Sequence, residues 1–164
     1  MSKQTIKEIL GGYKKLLHHD ITVQGWVRAF RSNRFIALND GSTINNLQLV
    51  LDFENFDENI IKNIKTASSL KITGEVIESE GKGQDIEIIA KKITILGDNF
   101  SEEMEKTVLQ PKKHSLEVLR EQAHLRFRTN LFGAVFRVRS AVSFAIHQFF
   151  NQNHFFYMNT PIIT

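Results

Sequence analysis

The residues with the most usable chemistry lie between Trp26 and Gln48. Arg28, Arg31 and Arg34 alternate with Phe30 and Phe35, which sets guanidinium groups that can pair with phosphate oxygens beside flat rings on which unstacked bases can lie. Gln48 follows; its amide both donates and accepts, so it matches the Watson–Crick edge of a pyrimidine such as uracil. This is the chemistry of single-stranded nucleic acid binding. Each residue also has an ordinary use. Phe30 and Trp26 serve equally as packing residues, an arginine on an exposed strand edge guards against aggregation, and Gln48 alone is an unremarkable surface residue. Other chemistries have less support. His18, His19, His114, His124, His147 and His154 have no metal-ligand spacing with nearby carboxylates, so no metal site is expected. Gly81-Lys82-Gly83 lacks the spacing and hydroxyl partner of a phosphate-binding loop and reads as a hairpin turn. No serine sits in a nucleophile elbow. The chain has no cysteine, which rules out disulfides and thiolate metal sites.

The elements that must hold these residues are mostly strands. Ile21–Phe30, Phe35–Leu38, Leu47–Leu51, Leu70–Ile77 and Ile86–Leu96 are rich in β-branched and aromatic residues. Between the third and fourth, Glu58–Ala67 has the period of a short amphipathic helix with Ile60, Ile61 and Ile64 inward. Asp40-Gly41-Ser42 and Gly81-Lys82-Gly83 supply turns. The order β-β-β-α-β-β is that of an OB-fold, a five-stranded Greek-key barrel whose second and third strands and adjoining loops bind oligonucleotides. Residues 18–97 are assigned to that barrel, 1–17 to a preceding helix and 98–113 to a hinge.

From His114 to Thr164 the pattern changes. Leu131, Val135, Val138, Val142, Ile146 and Phe149 recur at steps of three and four, on one face of a long helix. Phe132, Phe136, Ala141 and Ala145 widen the apolar surface beyond one core-facing stripe, so two separate surfaces are expected to be buried. The run Phe155–Met158 reads as a buried strand ended by Thr160-Pro161. A core helix and strand of an ordinary domain fit the same pattern. The formal charge is only +3, yet seven basic residues face two acidic ones between Lys112 and Arg139, a local attraction for phosphates or simply a solvated helix surface. At 164 residues the chain has room for one ordinary domain, or a small one plus part of another. It opens with no apolar run resembling a signal peptide, and no membrane span is expected.

HSLEVLREQAHLRFRTN, RVRSAV and FFNQNHFFYMNTPIIT closely resemble the start of the catalytic domain of class II aminoacyl-tRNA synthetases, the asparaginyl-tRNA synthetases of bacterial type in particular. In that family a long helix leads to a strand ending at a proline, here Pro161; this is motif 1. RFIALNDGSTINNLQLVLD resembles the anticodon-binding segment that asparaginyl- and aspartyl-tRNA synthetases share. The resemblance implies that Phe35 stacks on the central anticodon uridine and Gln48 recognises it. It further implies that Arg31, with Arg28 and Arg34, holds the anticodon, and that Glu87 lies near an anticodon base. The implied fold is an OB-fold barrel followed by the first helix and strand of an α+β antiparallel catalytic domain, incomplete over residues 114–164. The implied parent activity is asparagine–tRNA ligation with ATP and Mg²⁺, in a cytoplasmic homodimer built through motif 1 by Phe149, Phe150, Phe155, Phe156 and Pro161. The partner is the tRNA(Asn) anticodon. An aspartyl-tRNA synthetase and a stand-alone OB-fold nucleic-acid binder are the alternatives. One departure is His154, where the family commonly has glycine; a positive φ there would strain a histidine.

Motifs 2 and 3, which the resemblance places around ATP and the adenylate, have no counterpart in these residues, and no catalytic or ATP-binding residue is assigned. The 164-residue polypeptide alone is therefore expected to give no asparagine-dependent pyrophosphate exchange. Stabilising the charge that develops on the α-phosphate needs preorganised cations, and robust exchange by the purified polypeptide would overturn the expectation.

Overall fold

The structure, a computed structural model, describes residues 4–81, 83–97 and 107–162. The chain divides into two compact units, Met1–Lys113 and His114–Thr164. Residues 98–106, most of the expected hinge, and Lys82 in the glycine turn lie outside the described residues.

In the first unit, strands β1 (Asp20–Arg31), β2 (Phe35–Asn39), β3 (Leu47–Val50), β4 (Ser69–Glu78) and β5 (Ile86–Gly97) form one sheet. β1 pairs antiparallel with β2 and β4, β2 with β3, and β4 with β5; β3 and β5 pair parallel. Every strand thus has two neighbours and the sheet closes into a barrel in the order β1-β2-β3-β5-β4. The cause is visible in the alternation. Val23, Ile36, Leu38, Leu47, Leu49, Leu70, Ile72, Val76, Ile86 and Ile88 are at most 1% exposed, and residues between them face out, because successive side chains of a strand point to opposite faces. Each such burial contributes roughly 1.5–3 kcal/mol. The barrel leaves no room for a side chain at Gly74 on β4. A Cβ there would lie 2.2 Å from the carbonyl oxygen of Ile89 and 2.7 Å from a methyl carbon of Ile88.

Helix α1 (Ile6–Gly12) is opened by a capping box. The Glu8 N–H donates to the Thr5 hydroxyl at 3.3 Å, and the Thr5 N–H donates to the Glu8 carboxylate at 2.8 Å. Ile6 and Ile9 join the core. The helix start is pinned to the β2–β3 loop. The Ile6 N–H donates to Asp40 Oδ2 at 2.9 Å and the Lys7 N–H to the Ser42 hydroxyl at 3.0 Å, which satisfies donors a helix terminus otherwise leaves open. Burial pushes the Asp40 carboxyl up, but hydrogen bonds from the Ser42 hydroxyl and the Ile6 and Ser42 N–H groups outweigh it and hold the group below its ordinary value. The helix is shorter than the segment 1–17 suggests, because it gives way at Gly12 to a 3₁₀ turn over Tyr13–Lys15. Helix α2 (Glu58–Lys62) likewise stops short of Ala67. Ala67 donates its N–H to the Val27 carbonyl, and the Ser68 carbonyl accepts from the Val27 N–H, so the chain is drawn back to β1 before another helical turn can form.

The second unit holds α3 (Leu116–Glu121), capped by Ser115, and α4 (Asn130–Gln152), capped by Thr129. The apolar stripe of α4 is uncovered: Leu131, Val135, Val138, Val142, Ile146 and Phe149 are 47–64% exposed. The buried strand expected over Phe155–Met158 is absent. These residues carry no strand pairing and Phe156 is 94% exposed, since an extended segment becomes a strand only by finding a ladder to join. The end of α4 is a Schellman turn. The His154 N–H donates to the Asn151 carbonyl and the Phe155 N–H to the Phe150 carbonyl, both at 3.0 Å, with His154 at φ +67° in the position that glycine usually fills.

Gly74→Ala should lower the stability of the barrel unit by about 1–3 kcal/mol, the usual cost of overpacking, read as a lower urea midpoint by far-UV circular dichroism. A wild-type midpoint would mean that β5 yields freely. His154→Gly should stabilise the end of α4 by about 1 kcal/mol by removing the left-handed strain, visible as slower amide exchange at His154 and Phe155; unchanged or faster exchange counts against it.

Candidate nucleic-acid interface

The β1–β2 connection is a three-residue hairpin loop, Ser32–Arg34. Ser32 and Asn33 both have positive φ, +51° and +52°, and the Arg34 N–H donates to the Arg31 carbonyl at 3.0 Å, the features of a type I′ turn. Arg31 and Arg34 flank this turn, so their Cα atoms lie within about 7 Å of each other. The Leu51 N–H donates to the Arg34 carbonyl at 2.8 Å, which ties the second arginine's backbone to the end of β3. The Arg34 guanidinium carbon lies 5.7 Å from the centre of the Phe35 ring, within range of a cation–π contact. A positive edge is thereby set beside an aromatic face.

The register of β1 on β2 skips Arg28: Val27 pairs with Leu38, and Ala29 pairs with Ala37. Beyond that shift the phase is reversed. Arg31 lies opposite Phe35, while Phe30 lies opposite the fully buried Ile36 and packs against the core. Phe30 is therefore a partly buried packing residue. Trp26 is the converse, 48% exposed on the outer side of β1 although its size suits a core.

Phe35, Ala37, Gln48 and Glu87 face out from the barrel, partly exposed. Across the strands Ala37 pairs with Gln48, and Gln48 with Glu87. Gln48 Nε2 donates to Glu87 Oε1 at 3.0 Å. That oxygen accepts two further hydrogen bonds, from the Ser79 hydroxyl at 2.6 Å and from Gln84 Nε2 at 2.7 Å. Ser79 Oγ in turn accepts from Gln84 Nε2 at 3.2 Å and from the Gly81 N–H at 3.1 Å. Sequence reading found neither Ser79 nor Gln84. Their only signal was a polar residue on each side of a glycine turn, which becomes informative once the β4–β5 hairpin folds them onto Glu87. The structure brings together Phe35, Arg31 and Arg34 at one end of the row and Gln48 with Glu87 further along it. The arrangement can stack a base, read one polar edge and neutralise neighbouring phosphates. Among the described residues no group of three or more His, Asp or Glu could hold a metal ion, and no helix is long and apolar enough to cross a membrane.

Residues 21–96 match the family model of the tRNA anticodon type described as an OB-fold nucleic acid binding domain. Asparagine–tRNA ligase of Bacteroides fragilis is 52% identical over 149 residues, covering 88% of this chain and 31% of the relative. That of Cytophaga hutchinsonii is 44% identical over 167 residues, covering 100% of this chain and 35% of the relative. Among solved structures, asparaginyl-tRNA synthetase from Pyrococcus horikoshii complexed with asparaginyl-adenylate superposes with a TM-score of 0.75 at 19% identity, over 99% of this chain and 37% of that one. Aspartyl-tRNA synthetase from Entamoeba histolytica gives 0.74 at 21% identity, over 98% of this chain and 39% of that one. At such identities these two show the shared fold. The chain spans about a third of the length of the curated relatives it matches. Over that shared length it is similar to the N-terminal portion of the asparagine–tRNA ligases.

Proposed function

We propose that the barrel binds the anticodon of tRNA(Asn), as the recognition part of an enzyme that joins L-asparagine to tRNA(Asn) with conversion of ATP to AMP and diphosphate. The observation that carries this reading is the outward row in which Gln48, tied to Glu87, shares a face with Phe35 beside the Arg31–Arg34 turn. Phe35 stacks on the central uridine, Gln48 reads its edge, and Arg31 and Arg34, with Arg28, meet the phosphates. The asparagine reading is preferred to aspartate because the curated relatives at 44–52% identity are asparagine–tRNA ligases, whereas the aspartyl enzyme's likeness is one of fold.

In the same reading the second unit is the motif 1 start of a class II catalytic domain, which the long, apolar-striped α4 supports although the strand of that motif is not formed. In this reading α4 and the segment after it meet a second subunit in the cytoplasmic homodimer, and Phe149, Phe150, Phe155, Phe156 and Pro161 lie in that interface. The exposure of Phe149, Phe150, Phe155 and Phe156, from 48% to 94%, supports it. A stand-alone OB-fold binder has no need of so large an uncovered apolar stripe. ATP and Mg²⁺ belong to the whole enzyme. No cluster of carboxylates or histidines suited to Mg²⁺ occurs among the described residues, so no step of adenylate formation is assigned to this chain.

Phe35→Ala should weaken binding of a tRNA(Asn) anticodon stem-loop by about 1–3 kcal/mol, the loss of one stacked base. Arg31→Ala should flatten the dependence of log K on log salt by about 0.7–0.9, one released counterion, and weaken matched and mismatched loops alike. Anisotropy titrations from low to moderate salt measure both. Wild-type affinity for Phe35→Ala would sink the assignment, and a loss confined to one base would make Arg31 a base reader.

A further inference from the structure

The hydrogen bonds around Glu87 form a closed set whose effect falls on Gln48. A carboxylate only accepts, a hydroxyl has one proton and two lone pairs, and an amide nitrogen has two protons. Gln84 Nε2 spends both protons, one on Glu87 and one on Ser79. Ser79 Oγ accepts from Gln84 and from the Gly81 N–H, so its single proton goes to Glu87. Glu87 Oε1 thus receives Gln48, Ser79 and Gln84 together, which holds the carboxylate in one orientation. Because Glu87 cannot donate, the side of the Gln48 amide that faces it has to be the NH₂. The Gln48 carbonyl and its second N–H are left for a ligand in a fixed order.

We propose that Ser79, Gln84 and Glu87 are positioning residues that lock the Gln48 amide against flipping, and that this lock makes the site select uridine over cytidine. The proposal rests on Gln48 being the base reader. Uracil presents an N–H at position 3 beside a carbonyl at position 4, which a carbonyl-then-N–H amide matches. Cytosine reverses both, with a bare nitrogen at position 3 and an amino group at position 4. A glutamine free to rotate by half a turn satisfies either base. One held by an acceptor-only partner satisfies uracil and sets like against like on cytosine, leaving polar groups unpaired.

The test uses the full 164-residue chain and two RNA hairpins that differ only in uridine or cytidine at the centre of a seven-nucleotide loop. Binding is measured by anisotropy, and folding is checked by circular dichroism. In the Ser79→Ala/Gln84→Ala double variant, affinity for the uridine loop should change little while the preference for uridine falls by at least about fivefold, the low end for one bidentate base contact. Ser79→Thr, which keeps the hydroxyl, should keep the preference. Glu87→Gln supplies a second variant, since a neutral partner that can donate as well as accept frees the flip. It should relax the preference whether or not the double variant folds. If the double variant and Glu87→Gln keep wild-type preference while Gln48→Ala loses it, the lock is wrong and Gln48 remains the reader. Equal weakening toward both loops makes the cluster merely structural and also overturns the lock. If Gln48→Ala itself leaves the preference intact, the reading of Gln48 fails and the lock with it.

Discussion

Three residue pairs join β3 to β5: Gln48 with Glu87, Leu49 with Ile88 and Val50 with Ile89. This short parallel ladder is the seam that closes an open sheet of order β3-β2-β1-β4-β5 into a barrel, and the rest of the outer face depends on it. Parallel pairing cannot be made by a tight turn, so the chain has to travel through α2 and β4 before returning. Closure brings together residues 39 positions apart in sequence and buries Leu49 and Ile88 completely. Register at the seam is set by those buried residues. A slip of either strand by one would turn its buried residue, Leu49 or Ile88, outward and its polar neighbour, Gln48 or Glu87, inward, so the core fixes the polar pair on the surface.

The N-terminal helix contributes from the other direction. Ile6 and Ile9 are buried in the same cluster as the inward barrel residues, and Asp40 fixes the helix start to the loop that follows β2. β2 thus has a pinned connection at each end, the tight Arg31–Arg34 turn before it and the Asp40 anchor after it. Phe35 and Ala37 are carried on a short strand with little freedom to shift.

How much of this was legible in the sequence follows from the range of the interactions involved. The five strands were readable because period-two burial is a local property, and their ends fall close to those of the β-branched runs. The end of α2 was not, because Ala67 and Ser68 are claimed by Val27, a partner far away in sequence. Trp26 lies on the outward phase that alternation with Val23 and Val27 dictates, against its size, while Phe30 turns to the core because the skip at Arg28 places it opposite Ile36. The strand expected at Phe155–Met158 needed a neighbour to pair with. At the interface, residue types and resemblance pointed to Phe35, Gln48 and Glu87 one by one. The contact between Gln48 and Glu87, and the part of Ser79 and Gln84 in it, arise from barrel closure and a folded hairpin and have no local signature.

The division of most strand positions into inward and outward residues has an evolutionary consequence. Stability resides in the isoleucines, leucines and valines that point in, and the side chains that point out carry little of it, so the two sets can diverge almost independently. Outer residues can be exchanged without repacking the interior. Solved structures that share this architecture at 19–22% identity are consistent with that separation. It also makes the outer row a place where surface chemistry can be rewritten while the scaffold is inherited intact.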